Sequence, residues 1–368
     1  MSIIVKLIVV VFFFAACTQT NYSVQKYNPT KNGFVENKTK QNVIPMIPDI
    51  IETENKVEES KSTKIAILFP SLTIGKYALE ATNSINTYLI NKEKPFTLGV
   101  YDLVVQNQKN IVKTLQKITS DKITKVIAMI TKENLKYLVD IQGIENIQFY
   151  FPLIHKDDIQ NIEIYNGLDV TFGAISYKAQ FKKLIAFRSR NSLVEFYDNS
   201  GIGKTLHEYV RDEKVIYTKK IDDNNGRYKS FLGNNRRLNN SLVLLNTPII
   251  KSSILLSTIT AQELSINTIA STQLNYTPLL FSLTQKHDRR KLVVANSIGN
   301  IPVELEEYNR LIGNNLQYNW VNYSTIVGVE YLLNGNVDLF NDLTIINNQV
   351  IFPVNLYRVG NNSFKLIR

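Results

Sequence analysis

The chain has 368 residues, with 42 Lys and Arg against 32 Asp and Glu, three His and one Cys. The single Cys excludes an intramolecular disulfide bond and a cysteine-cluster metal site, and the three scattered His leave few partners for a catalytic triad or a zinc site. Hydrophobic residues make up 44% and charged residues 20%, as in a globular protein, so we expect a folded protein that is not an enzyme and has no cofactor and no metal site.

Residues 1–16 have the pattern of an export signal. Lys6 gives a positive start, an unbroken apolar run extends from Leu7 to Phe14, and two small residues follow. The run is too short to span a bilayer, which takes about 20 residues. We therefore predict that residues 1–16 are a signal peptide.

Cys17, the only Cys of the chain, directly follows this segment. The run Phe14-Ala15-Ala16-Cys17 resembles the bacterial lipobox, with Phe where Leu is more usual. The resemblance implies lipidation of Cys17 and membrane anchoring by palmitate-like acyl chains, since two or three chains hold firmly. The next residue is Thr18 rather than Asp, which by resemblance to lipoproteins of diderm bacteria implies the outer membrane, facing the periplasm. The alternative is a plain secretory signal with an incidental Cys.

Residues 17–63 are predicted to be a lipidated N-terminus and a flexible tether. They are rich in Asn, Lys, Thr, Glu and Gln, with scattered Pro and weak apolar periodicity. The short apolar stretch Val43–Ile51 has an alternative interpretation as a docking segment for a partner.

From Lys64 onwards, apolar strand patterns alternate with segments of helical spacing. The predicted strands are 64–70, 96–102, 125–131 and 146–153, and the first helical segment is 75–90. This alternation is typical of βαβ units, and near-continuous apolar strands fit a parallel sheet covered on both faces. We predict a first lobe over about 64–170.

The pattern restarts after residue 170, which predicts a second lobe over about 180–320. The predicted strands are 170–176, 193–199, 215–221, 241–247, 277–284 and 291–297, and helical spacing returns at 305–312 and 323–333. We expect chain crossings between the lobes near 155–180 and toward the C-terminal end.

The C-terminal tail has three β runs, at 343–348, 349–359 and 363–367. Asn347-Asn348 and Gly360-Asn361-Asn362 interrupt them, which predicts an antiparallel β meander. The predicted fold class is therefore α/β, with two lobes of parallel sheet flanked by helices and a β tail.

Three stretches resemble type I periplasmic binding proteins. Residues 64–89 (KIAILFPS to NSINTYL) resemble the opening of their first lobe, and FYDNSGIGKTLHEYV (196–210) resembles the opening of their second lobe. NYSTIVGVEYLLNG (322–335) resembles their closing helix. Within this class, the lipidated start and the tail QVIFPVNLYRVGNN most resemble the C-terminal domain of outer-membrane lipoproteins that activate penicillin-binding proteins. The resemblance implies a two-lobed, periplasmic-binding-protein-like fold over 64–368.

Two features differ from these relatives. The activators carry a large helical N-terminal domain, where this chain has only the predicted tether. Solute receptors usually have a Gly- and Ser-rich loop after the first strand, and here that position holds only the short stretch 71–75 (SLTIG).

The candidate ligand site lies in the cleft between the lobes, because ligands of open parallel sheets bind beyond the carboxyl ends of the strands. The polar residues predicted at such ends are Ser71, Thr73, Asp102, Thr131, Asp198 and Asn199. Hydroxyl groups and helix N-terminal amides suit a carboxylate, and Asp102 or Asp198 suits an amine. The alternative for each residue is a helix cap, since Ser, Thr and Asp are preferred at strand-to-helix junctions.

The segment 200–205 (SGIGKT) is similar to part of a phosphate-binding P-loop. Asp198 stands where that motif needs its first Gly, and a carboxylate there would repel phosphate. We predict instead that Gly201 and Gly203 make a tight strand-to-helix turn.

The net charge of +10 suggests an anionic neighbour such as lipid, a cell-wall polymer or an acidic protein face. Export excludes nucleic acid as a partner. The densest basic spots are Lys182-Lys183, Lys219-Lys220, Arg236-Arg237 and Arg289-Arg290. The alternative is an ordinary solvated surface.

Two main functional hypotheses follow. The first is a lipid-anchored periplasmic protein that binds or regulates an envelope protein partner without catalysis, for example in cell-wall synthesis. The second is a solute-binding receptor that takes an amino acid or similar small molecule and feeds an ABC transporter. A hydrolase with an unrecognised site is a third.

Overall fold

The computed structural model describes residues 62–188, 192–222 and 227–367. The predicted signal peptide, Cys17 and nearly all of the predicted tether lie outside these described residues. No helix in the described part of the chain is long and apolar enough to cross a membrane.

The described residues form strands and helices that alternate through most of the chain. The strands are β1 (Thr63–Phe69), β2 (Phe96–Asp102), β3 (Lys125–Ala128), β4 (Gln148–Phe151), β5 (Asp169–Phe172), β6 (Ser192–Asp198), β7 (Val215–Ile221), β8 (Ser241–Asn246), β9 (Thr268–Ser271), β10 (Leu292–Asn296), β11 (Thr344–Ile346), β12 (Gln349–Ile351), β13 (Asn355–Val359) and β14 (Phe364–Leu366). The α-helices are α1 (Ser71–Asn91), α2 (Gln108–Ser120), α3 (Lys132–Leu135), α4 (Tyr177–Ile185), α5 (Gly201–Val210), α6 (Tyr228–Leu232), α7 (Ile249–Ala261), α8 (Leu279–Leu283), α9 (Val303–Leu311) and α10 (Trp320–Asn334).

The strands form two seven-stranded sheets, each the centre of one lobe. The first sheet has the order β11-β12-β5-β4-β3-β1-β2, and the second has the order β14-β13-β10-β9-β8-β6-β7. Strands β1 to β5 pair in parallel, and so do β6 to β10. The predicted two-lobed α/β fold is confirmed.

Both faces of each sheet are covered, as the apolar strands predicted. In β1, Ile65 and Ile67 pack into the core under α1 and α10, whereas Ala66 and Leu68 pack into the core under α2. Because successive side chains of a strand point to opposite faces, a strand buried on both faces needs apolar residues at every position. The second sheet divides its core residues in the same way.

Two helices that follow the second lobe's strands pack on the first lobe. The Asn309 side chain of α9 accepts a hydrogen bond from the Ser84 hydroxyl of α1 at 2.8 Å. In α10, Glu330 is buried and accepts a hydrogen bond from the Tyr88 hydroxyl of α1. Lys92 Nζ forms an ion pair with Glu330 Oε2 at 3.3 Å. The chain thus returns to the first lobe after β10, earlier than the predicted limit of 320.

The tail strands are antiparallel, as predicted, and the structure divides them between the two sheets. Strand β12 joins the first sheet beside β5, whereas β13 joins the second sheet beside β10. The predicted continuous run 349–359 is interrupted at Phe352–Val354, where the chain crosses between the lobes. Pro353 lies in this crossing, and Pro has no amide hydrogen to donate to a sheet.

The turn between β11 and β12 consists of Asn347 and Asn348. Both have positive φ, at 51° and 63°, and the flanking residues Ile346 and Gln349 are paired. Two residues with positive φ make the turn type that matches the twist of a hairpin, and Asn tolerates that conformation.

One predicted strand is wrong, and one strand was not predicted. Residues 277–284 form the short helix α8 after Pro278, not a strand. An apolar run of this length fits a buried strand or a buried helix equally well. Strand β9 has only two apolar residues, Ile269 and Ala270, and lies between β8 and β10.

Candidate functional site

A cavity of about 390 Å³ lies between the lobes at the carboxyl ends of the strands. Its first-lobe walls come from the segments that follow β3, β4 and β5, and its second-lobe wall comes from one side of α5. The lining includes Thr131, Leu153, His155, Ala174, Ile175, Tyr177, Ile202, Tyr209 and Trp320. The cavity therefore lies beyond the carboxyl ends of the strands, and most of its surface is apolar and aromatic.

The aromatic wall of this cavity is formed by Tyr177 and Trp320. Their rings meet edge to face, with centroids 6.3 Å apart and an interplanar angle of 87°. This arrangement suits the quadrupoles of both rings. Burial raises the pKa of Tyr177 above its ordinary value, so the hydroxyl stays neutral at physiological pH.

One hydrogen bond joins the lobes beside the cavity. The Tyr209 hydroxyl of α5 donates to Asp158 Oδ1 of the first lobe at 3.1 Å. Burial and then the nearby Asp158 charge raise the pKa of Tyr209, so this donor keeps its proton. His155 also lines the cavity, and its Nδ1 accepts from the Asp157 amide at 3.2 Å, while burial lowers its pKa.

A buried polar network lies where the chain passes between the lobes. The Gln180 amide of α4 donates to Ser297 Oγ at 2.8 Å and to Gln273 Oε1 at 3.1 Å. Gln180 Oε1 in turn accepts from the Gln273 backbone amide at 2.9 Å. These buried bonds tie α4 to the segments that follow β9 and β10, and breaking them would leave unpaired polar atoms.

Asp198, at the end of β6, is committed to partners within its own lobe. Its side chain is 2% exposed and accepts from Lys251 Nζ at 2.6 Å and from the Ser200 hydroxyl at 2.5 Å. Ser200 then caps α5 by accepting from the Gly203 amide at 3.0 Å. Burial alone would raise the pKa of Asp198, but the Lys251 and Ser200 hydrogen bonds outweigh it and hold the pKa below its ordinary value.

The glycines of 200–205 belong to this capping arrangement. A Cβ atom at Gly203 would overlap Asp198 Oδ1, whereas a Cβ atom at Gly201 would meet no other described part of the chain within 4 Å, apart from its chain neighbours and its own helix backbone. Gly203 therefore allows the first turn of α5 to approach the buried carboxylate. The chain does turn tightly between β6 and α5, but the bend is at residues 199–200, and both glycines lie in the first turn of the helix. Asp198 lies where a P-loop would need glycine.

Asp102 caps the start of α1 from the neighbouring strand. Its Oδ1 accepts from the Ser71 amide at 3.0 Å and from the Val104 amide at 2.7 Å. Burial opposes ionisation, yet the hydrogen bonds prevail and lower the pKa of Asp102. Ser71 begins α1, and Thr73 is exposed in its first turn.

The stretch 71–75, where solute receptors usually have a loop, is helical in this chain. Helix α1 begins directly after Pro70, with one non-helical residue at Ile74.

Thr131 is the one residue of the six predicted that appears in the cavity lining described above. Its amide donates to Gln106 Oε1 and its hydroxyl accepts from the Asn134 side chain, both at 2.9 Å. Asn199 is exposed in the bend before α5. The structure thus places the six predicted residues at strand-to-helix junctions, without bringing them together around one cavity.

Sequence reasoning did not assign the aromatic residues of the cleft wall to a binding site. Tyr177 and Trp320 lie 143 positions apart by number, and only the fold brings their rings together. Tyr209 and Asp158 come from different lobes. Among the described residues, no group of three or more His, Cys, Asp or Glu has a metal-binding arrangement.

No protein-family model matches this chain, and no curated protein matches it. Solved structures do match. A protein from Rhodospirillum rubrum, described as a branched-chain amino acid ABC transporter, has a TM-score of 0.62 at 10% identity, covering 83% of this chain and 100% of that chain. The LpoA (YraM) C-domain from Haemophilus influenzae, described as a regulator of PBP1A, has a TM-score of 0.56 at 11% identity, covering 83% and 100%.

This chain has the type I periplasmic-binding-protein fold. Full-length LpoA from Haemophilus influenzae matches with a TM-score of 0.56 at 11% identity, and the match covers 84% of this chain but 59% of that one. The periplasmic-binding-protein-like body here thus corresponds to part of LpoA. At these identities the similarity concerns the fold, which receptors and regulators share.

Proposed function

We propose that this protein is a non-catalytic binding or regulatory protein of the cell envelope that acts by holding a protein partner. The observation that carries the proposal is that Asp102 and Asp198, the two acidic groups predicted to suit a ligand's amine, already have internal partners. Asp198 pairs with Lys251, and Asp102 caps α1. An amino-acid receptor needs such groups free for the ligand's ammonium. Similarity to the LpoA C-domain, described as a regulator of PBP1A, supports regulation of cell-wall synthesis as the process.

A second candidate is a solute-binding receptor that feeds an ABC transporter. The cavity of about 390 Å³ favours it, because small-molecule sites are apolar clefts of about 300–1,000 Å³ with a few polar groups. The similarity to the Rhodospirillum rubrum protein supports the same candidate.

Ligand-dependent stability separates the two candidates. We expect no melting shift of the full-length protein across a panel of amino acids and small metabolites at millimolar concentration. A receptor at 100 times its dissociation constant would gain about 2.7 kcal/mol. Circular dichroism gives the melting temperature. A Trp320→Ala variant is the matched control. A melting shift that is seen in the wild type and lost in this variant would establish a ligand in the cleft and contradict the proposal of a non-catalytic protein that holds a protein partner.

We propose further that Cys17 anchors the protein to the outer membrane, with the body facing the periplasm. The support is the lipobox-like run that ends at the chain's only Cys. Labelled palmitate is expected to enter the wild-type protein and to be lost from a Cys17→Ser variant. Labelling that persists in the variant, or a wild-type protein without label, would show that the anchor assignment is wrong.

A further inference from the structure

The four basic spots of the sequence have different surroundings in the structure. Arg289 is 3% exposed, and its guanidinium donates to the carbonyl oxygens of Thr284, Gly360 and Asn361. Lys183 donates to the Val354 carbonyl. These cations have structural partners. Lys219 and Lys220, by contrast, lie on β7 at one edge of the second sheet, and Arg237 lies against Tyr217 of the same strand.

This edge is strand β7, which in the part of the chain that the structure describes pairs with β6 alone. Its burial alternates along the strand, with Ile216, Thr218 and Lys220 exposed. Among the described residues, no further backbone hydrogen bond reaches Ile216–Ile221 from the side opposite β6. A seven-residue strand with one unpaired side is a template for another extended chain.

Positive charge is concentrated at this edge. Residues 214–237 contain seven Lys and Arg against two Asp, which is half of the chain's net charge of +10. We call β7 with Lys214, Lys219, Lys220, Arg236 and Arg237 the basic edge. Lys219 is half-buried and the other four cations are exposed. No ion pair within the described residues involves any of the five.

Aromatic rings hold two of these cations in place. Lys219 Nζ lies 5.5 Å from the centroid of the Phe231 ring, and Arg237 Cζ lies 5.8 Å from that of Tyr217. Both rings pack on Phe196, at 6.0 Å and 6.2 Å between centroids. Cation–π contacts of this kind orient the side chains, which lowers the entropy lost when an anion binds.

We propose that the basic edge binds an extended acidic polypeptide segment that pairs with β7 as an additional strand. Free backbone groups along the edge call for a polypeptide, because lipid and glycan cannot continue a sheet. The lysines and arginines repel a second copy of the same edge and attract carboxylates. This proposal names the kind of partner that the proposed function requires, and it rests on that function.

Fluorescence anisotropy tests the proposal with a labelled eight-residue peptide of alternating Glu and Val and the full-length protein. We expect binding that weakens about tenfold in a Lys220→Glu/Arg237→Glu variant, since both residues are exposed and their reversal leaves the core intact. The matched control is Lys109→Glu/Lys113→Glu on α2, which makes the same change of charge in the first lobe. We expect this variant to change the affinity for the peptide by less than about twofold.

Two further probes distinguish binding by strand pairing with β7 from binding by electrostatic attraction alone. The same peptide N-methylated at every amide keeps its carboxylates but cannot pair with β7, so we expect it not to bind. Equal binding of the N-methylated peptide, or equal weakening by the α2 control, overturns the proposal. So does binding of phosphatidylglycerol vesicles through the basic edge without peptide binding. The metabolite panel does not involve β7. If the peptide test fails, the result of that panel, and with it the proposal of a binding or regulatory protein, is therefore unaffected.

Discussion

Replacing Asp198 with alanine is expected to lower the free energy of unfolding by about 3–5 kcal/mol at neutral pH. The carboxylate is buried and accepts from Lys251 and from both the amide and the hydroxyl of Ser200. Its loss removes the ion pair with Lys251 and weakens the cap of α5. Denaturant unfolding, followed by the fluorescence of Trp320, the only Trp, measures the difference.

The loss of unfolding free energy in Asp198→Ala is expected to depend on pH. In the folded protein the pKa of Asp198 lies below its ordinary value. The stabilisation that its carboxylate gives to the folded state is therefore present above about pH 4 and is lost as the pH falls through that lowered pKa. The gap between wild type and variant should therefore narrow in acid. Asp102→Ala is the matched control, because that carboxylate caps a helix but is exposed. We expect this variant to lose about 1 kcal/mol of unfolding free energy. A small, pH-independent deficit for Asp198→Ala would contradict the buried ion pair.

Replacing Gly328 with alanine is expected to destabilise the protein by about 1–3 kcal/mol, although alanine favours helices by about 1 kcal/mol. Gly328 lies in α10, and a Cβ atom there would overlap the ring of Tyr150. Tyr150 is fully buried in β4, and a Cβ atom at Gly173 would overlap the same ring. Both glycines therefore border the buried ring closely.

A double-mutant cycle checks this explanation of Gly328→Ala. In a Tyr150→Leu background the added methyl group has room, so the cost of Gly328→Ala should fall by more than about 1 kcal/mol. Gly201→Ala is the matched control, since among the described residues a Cβ there has only its own helix and chain neighbours within 4 Å, and we expect the free energy of unfolding to change by less than about 0.5 kcal/mol. Additive effects in the cycle would place the cause elsewhere in the helix.

The candidate site was only partly predictable. Asp102 and Asp198 were recognised at strand ends, and both the ligand and the capping interpretations were open from sequence. The structure favours capping, because their partners Ser71, Val104, Ser200 and Lys251 are close enough to donate hydrogen bonds. Lys251 is 53 residues from Asp198, and no local pattern indicates such a pairing.

The sequence by itself determined the alternation of strands and helices and the presence of two lobes. These features follow from local apolar periodicity, which burial on one or both faces imposes on each segment. It also indicated the turn at Asn347-Asn348, since few residues adopt positive φ there.

Only the tertiary structure decided which segments share a surface. The tail strands divide between two sheets, α9 and α10 return to the first lobe, and Tyr177 meets Trp320 in one wall of the cleft. The basic edge likewise joins two cation pairs that are separate in sequence. Such contacts depend on long-range packing and chain crossings, which leave no periodic trace in the local sequence.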